Sequence, residues 1–127
     1  MIYGTGVDLI SVRRIEKVIF RWGKRFVRRV FTAEEARICY KRPSSHSAFA
    51  LRFAAKEAFS KALGLGMRKG IRWRDIEVFN DAAGKPGLRL YGTAAEICRQ
   101  QRINHIHLSL SDDGNYGVAV VVLERGT

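Results

Sequence analysis

The stretch from about Ala50 to Leu63 constrains this chain more than any other. Leu51, Ala54, Ala55, Ala58, Phe59, Ala62 and Leu63 recur at i, i+3, i+4 and i+7, the spacing of an amphipathic α-helix. Gly64 stops the pattern. Most of that stripe is alanine, so the helix can lie close against a sheet, and its other side holds Arg52, Lys56, Glu57, Ser60 and Lys61. It is expected to be central to the fold.

Shorter elements surround it. Ile2 to Ile10 reads as a buried strand interrupted by Gly4 and Gly6, where backbone or ligand can come close. From Val12 the pattern turns helical, with Val12, Ile15, Ile19 and Trp22 on one stripe and Arg13, Arg14, Lys17 and Arg21 elsewhere. Basic residues continue around Phe26 until Thr32, which with Glu35 makes a capping-box pattern for a third short helix. Ile76 to Phe79 and Leu88 to Tyr91 read as a hairpin about the Asn80 to Gly87 turn. Thr93 and Glu96 suggest a second capping box, opening a helix to about Arg102. His105 to Ser111 alternates, with Ile106, Leu108 and Leu110 on one face and His105, His107, Ser109 and Ser111 on the other. Asp113-Gly114 turns the chain into an apolar strand from Tyr116 to Leu123. Helices early and hairpins late predict an α+β domain, with a largely antiparallel sheet packed on the long central helix.

At 127 residues, without linker, repeat or low-complexity stretch, the chain reads as one domain over residues 1–127. The apolar start, Met1 to Ile10, is too short to span a membrane and lacks signal-peptide flanks, which points to the cytoplasm and away from membrane partners. Cys39 and Cys98 lack ligand spacing and read as reduced packing residues. The formal net charge of +11 calls for an anionic partner. Nucleic acid is not the expected one, because no RRM aromatic motif, zinc-finger pattern or clear recognition helix is present.

Several residues can carry chemistry. Asp8 is an acid at the end of an apolar strand, a costly place unless it caps the following helix or something binds it. Glu57 and Lys61 stand one turn apart and form either an ordinary ion pair or part of a site. Two acids from different elements, Asp8 and Glu57, suit Mg²⁺, which keeps several waters and shares substrate phosphates. The loop Gly64 to Gly70, with Arg68 and Lys69, is either a phosphate-facing turn or a plain helix stop. His107 reads as a phosphate contact or a structural histidine. No hydrolase triad is visible, since Ser109 and Ser111 lack a strand-to-helix elbow. Arg13, Arg14, Arg21, Arg25, Phe26, Arg28 and Arg29 have Glu16 as the only acid between Ser11 and Ala33, which favours a docking surface for an anionic partner.

Taken together, Gly4-x-Gly6-Val7-Asp8-Leu9-Ile10, Arg52-Phe53-Ala54-Ala55-Lys56-Glu57-Ala58-Phe59-Ser60-Lys61-Ala62-Leu63-Gly64, Phe79-Asn80-Asp81 to Gly84-Lys85-Pro86, and His107-Leu108-Ser109-Leu110-Ser111 before Tyr116-Gly117-Val118-Ala119 resemble the holo-acyl-carrier-protein synthase family, the small bacterial phosphopantetheinyl transferases. The resemblance covers nearly the whole chain. It implies the transferase fold and transfer of 4′-phosphopantetheine from coenzyme A to a serine of apo acyl-carrier protein, releasing adenosine 3′,5′-bisphosphate, in fatty acid biosynthesis.

It further implies that Asp8, Glu57 and Lys61 are catalytic, and that Asp8 and Glu57 hold Mg²⁺ with the coenzyme A pyrophosphate. Lys61 and His107 would contact phosphate oxygens, and Arg52, Ser60 and Gly64 would join them in binding coenzyme A. Glu57, Glu35 or a metal-bound water would take the serine proton. Arg14, Arg21, Arg25, Phe26 and Arg29 would dock the acidic helices of the carrier protein. Family members form homotrimers with active sites between subunits. Asp112 is a departure, standing where a histidine often follows the serine strand.

Overall fold

The glycine-bearing N-terminal segment, β1 (Ile2–Ser11), lies directly on the long helix α4 (Ser45–Leu63) in the computed structural model, which describes residues 1–126. Between them run α1 (Val12–Trp22), α2 (Lys24–Val30) and α3 (Ala33–Lys41). A 3₁₀ turn at Trp73–Asp75 leads into the hairpin β2 (Ile76–Asn80) and β3 (Pro86–Leu90), followed by α5 (Gly92–Gln100), β4 (Ile103–Asp113) and β5 (Tyr116–Arg125). The class is α+β and all pairing is antiparallel, divided between a three-stranded sheet β1-β5-β4 and the separate hairpin β2-β3.

The paired glycines explain the geometry. A Cβ on Gly4 would sit 2.1 Å from the Ala62 carbonyl oxygen, and one on Gly6 would sit 1.9 Å from that of Ala58. Strand and helix therefore meet backbone to backbone, with the alanine stripe as the only spacer. Register places Asp8 opposite Ala119 and, one strand further, Leu110, so the inner sheet face carries Gly4, Gly6, Asp8, Ala119 and Leu110 toward α4. Phe49, Ala54, Ala58, Phe59, Val121 and Leu123 are buried in the core beneath.

Four sequence expectations need correction. β1 is not a buried strand, because its outer face leaves Val7 and Leu9 exposed. The central helix begins at Ser45, before Ala50. The extra turn is rich in serine, a weaker helix former than alanine, and the Ser44 hydroxyl donates to Ser47 Oγ at 2.9 Å there. The Thr93/Glu96 capping box does not form: the helix starts at Gly92 with Tyr91 as its N-cap, and the Glu96 carboxylate instead meets the Arg99 guanidinium and the Gln100 amide. Trp22 does not join the core stripe of α1. It is half exposed, with the Arg21 and Arg25 guanidiniums over its ring at 5.2 and 6.0 Å.

Candidate active site

Where β1 leaves the glycines, its next inward residue is Asp8, and the turn of α4 beside it carries Glu57 and Lys61. The Lys61 ammonium donates to Asp8 Oδ1 and to the Val7 carbonyl, each at 3.0 Å. The expected Glu57–Lys61 ion pair is thus replaced by one between helix and strand, and Asp8 does not cap α1, because the Ser11 hydroxyl does. Glu57 has no hydrogen bond to its carboxylate among the described residues. Partial burial, and next the Asp8 charge, push its carboxyl above the ordinary 4.5, with Lys61 opposing.

Asp8 is paired with Lys61 and Glu57 is not, and the Asp8 charge still acts on the Glu57 carboxyl. No cluster of three or more metal-ligating side chains occurs among the described residues. Two carboxylates, one of them without a bonding partner, are a donor set that fits a hard cation taking one or two protein carboxylates, with water and substrate phosphates completing its shell.

The remaining expected residues are scattered. Ser60 is fully buried and its hydroxyl donates to the Glu57 carbonyl at 2.7 Å, so it has nothing to offer a ligand in this conformation. Arg52 lies five residues before Glu57, about 140° around the helix. It is buried, bonded to Asn80 Oδ1 at 3.3 Å, and its Nε has no partner. Gly64 is a left-handed helix cap at φ 80°. Its amide turns back to Lys61, and those of Leu65 and Gly66 to Ser60, so these three donors serve the helix end and do not face a phosphate.

His107 is on the outer face of the sheet, opposite to Asp8. Its Nε2 lies 3.0 Å from Glu124 Oε1, which lowers the Glu124 pKa. Lys85 and Pro86 line a shallow cavity with it. Glu35 is fully enclosed: its carboxylate accepts from the Thr32 and Val78 amides, each at 3.0 Å, and from the Lys56 ammonium at 2.7 Å. The Thr32/Glu35 capping box is real, and it removes Glu35 from any role in proton transfer.

Arg25, Phe26 and Arg29 border a groove of about 580 Å³ whose other walls include Trp22, Phe53 and Trp73. Phe53 and Trp73 stack at 5.0 Å. Neither was legible as lining this groove, because Trp73 lies twenty residues from Phe53, in the 3₁₀ turn. Arg14 and Arg21 are exposed on α1 beside this region.

A lysine-paired aspartate and an unpartnered glutamate at a strand-helix seam, with an arginine-rich helix pair nearby, suit a protein that handles anionic groups. The chain belongs to the 4′-phosphopantetheinyl transferase superfamily, whose family model matches residues 4–121. Within it the similarity is narrower. A holo-[acyl-carrier-protein] synthase of Geobacter metallireducens is 48% identical over 125 residues, covering 98% of this chain and 99% of the relative. The crystal structure of the Neisseria meningitidis holo-[acyl-carrier-protein] synthase superposes with a TM-score of 0.91 at 39% identity, covering 98% of this chain and all of that one. A Bacillus anthracis holo-(acyl-carrier-protein) synthase, solved in complex with CoA (3′,5′-ADP), gives 0.82 at 38% identity over 99% of both chains.

Proposed function

We propose that this chain transfers 4′-phosphopantetheine from coenzyme A to a serine hydroxyl of apo acyl-carrier protein, releasing adenosine 3′,5′-bisphosphate, and that Asp8, Glu57 and Lys61 carry the reaction. The observation that carries the site assignment is the seam itself: Lys61 at 3.0 Å from Asp8 Oδ1, with Glu57 unpartnered beside it.

The serine oxygen attacks the β-phosphorus of coenzyme A, the bond from that phosphorus to the bridging oxygen breaks, and the bisphosphate leaves. Asp8 and Glu57 would hold Mg²⁺ against the pyrophosphate, and when bound it would neutralise charge developing on the phosphate oxygens. Lys61 uses two of its three N–H donors on Asp8 and Val7, which leaves one for a phosphate oxygen. Glu57 has no bonding partner among the described residues, so with one carboxylate oxygen on the ion the other would be left to receive the serine proton. Mostly, however, the protein positions the reacting groups.

Arg14, Arg21, Arg25, Phe26 and Arg29 dock the carrier. The groove between Trp22 and Trp73 receives an apolar side chain of its acidic surface, which the +11 charge attracts. The working form is a homotrimer. His107 and Asp8 face opposite sides of one sheet, so both reach one coenzyme A only if a neighbouring copy presents its outer face. That face exposes Val7, Leu9 and Val120, apolar side chains that a partner would cover. The reaction consumes coenzyme A and serves fatty acid biosynthesis, and the free thiols Cys39 and Cys98 agree with the cytoplasm.

The test is incubation with coenzyme A, Mg²⁺ and an apo acyl-carrier protein, followed by intact mass spectrometry. A gain on the carrier matching phosphopantetheine, abolished by a chelator, is expected. No gain with several apo carriers would overturn the reaction, and a gain indifferent to chelator would overturn the metal.

A further inference from the structure

Lys56 belongs by period to the polar side of α4, yet its side chain is completely enclosed. Its ammonium donates to Glu35 Oε1 at 2.7 Å, to the Trp73 carbonyl at 3.1 Å and to the Ile76 carbonyl. An ammonium has three donors, and here each meets an acceptor. Those acceptors come from α3, the 3₁₀ turn and β2, so one side chain ties α4 to three elements. Glu35 is closed in turn by the Thr32 and Val78 amides. Desolvation pulls the Lys56 pKa down, with Glu35 opposing.

On the opposite flank α4 meets β1 through Ala58 and Ala62 against Gly6 and Gly4, and through the half-exposed Lys61, which reaches Asp8 and the Val7 carbonyl. The glycine contact sets how near the helix lies, and Lys61 is a long tether half in solvent, whereas the fully enclosed Lys56 is held from three elements at once and is the stiffer constraint on how far the helix is rolled about its axis. Glu57 follows Lys56, about 100° further around the helix. Nothing among the described residues bonds its carboxylate, and it directly precedes Ala58, whose carbonyl abuts Gly6 two residues before Asp8.

We propose that Lys56, through its enclosed ion pair with Glu35, is the positioning residue that fixes the roll of α4 and so holds the Glu57 carboxylate opposite Asp8. The inference rests on the reading that Asp8 and Glu57 act together. Removing one member of an enclosed pair strands the other charge, whereas neutralising both is far better tolerated. The decisive variant is therefore the double substitution Lys56→Met with Glu35→Gln, in which the glutamine keeps an acceptor for the Val78 amide.

Three quantities are measured on the purified double variant: its melting temperature, its KM for carrier protein against kcat, and Mg²⁺ binding by calorimetry with coenzyme A present and no carrier. The expected result is a folded protein with carrier KM near that of the wild type. Its kcat should fall by about 10²-fold, the size of effect a displacement near 1 Å produces, and Mg²⁺ affinity should fall with it. Wild-type kcat and Mg²⁺ affinity in the folded double variant would overturn the proposal. Should it fail to fold, Lys56→Gln with Glu35→Gln is compared in the same way, since the glutamine at 56 keeps donors for the carbonyls and no charge is stranded. Failure of both to fold would show that the pair holds the fold rather than the roll, and would also overturn it. Asp8→Asn is run alongside: if it binds Mg²⁺ as the wild type does, the shared site itself is refuted, and the role of Lys56 with it.

Discussion

Helix α4 carries two charged clusters on different flanks, and they are built on opposite principles. The inner one, Glu35 with Lys56, is closed: both side chains are fully buried and every Lys56 donor has an acceptor. The outer one, Asp8 with Glu57 and Lys61, is open: Lys61 is half exposed and Glu57 has no bonding partner among the described residues. A closed network has no capacity left for a ligand and serves to fix geometry. An open one is unfavourable by itself and becomes favourable when substrate and cation supply what is missing. Adjacent residues, Lys56 and Glu57, thus divide structure from chemistry.

If that division is right, Asp8→Ala and Glu57→Ala abolish transfer, each by about 10³-fold or more, while circular dichroism stays that of the wild type. Wild-type rates in both would remove the open cluster from the reaction. The next largest effect comes at the seam that supports the open cluster. Gly6→Ala drives a Cβ toward the Ala58 carbonyl and should cost about 3 kcal/mol, lowering melting temperature and activity together. A stable, active Gly6→Ala protein would mean that the close approach is unnecessary.

A smaller and more selective loss is expected on the docking helices. Arg14→Glu should raise the carrier KM by about tenfold and leave coenzyme A KM and kcat unchanged, as steady-state kinetics would show. The smallest effect is one of stability. Because the Glu57 carboxyl is raised in the folded state, its contribution to stability is full below the ordinary carboxylate pKa and is lost as pH rises through the higher folded value. Glu57→Gln should therefore melt slightly above the wild type at neutral pH, with the difference vanishing near pH 4, even though transfer is lost. Equal melting at both pH values would show that Glu57 is not under strain.

Legibility in the sequence followed the same division. The alanine stripe, the glycine pair and the Thr32/Glu35 box are local patterns with short-range causes, and they placed the body and end of α4, a close approach at Gly4 and Gly6, and the start of α3. Asp8, Glu57 and Lys61 came from the motif, and the structure pairs Lys61 with Asp8. The closed cluster was hidden because Lys56 looks by period like a solvent-facing lysine, and its burial depends on the Trp73 and Ile76 carbonyls, which no helical spacing reveals. Ser60 was misplaced for the same reason, since a hydroxyl on a helix can turn back to its own backbone. Register, likewise, puts His107 on the far face from Asp8, a matter of strand order that alternation within β4 alone does not reveal.

The central claim is that Asp8 and Glu57 are an open site for a divalent cation shared with coenzyme A. Electron paramagnetic resonance tests it most directly, using Mn²⁺ in place of Mg²⁺ and following the free-ion signal as protein is added with coenzyme A present. The predicted result is loss of that signal with the wild type and its persistence with Asp8→Asn and with Glu57→Gln. Equal loss with all three proteins would contradict the assignment.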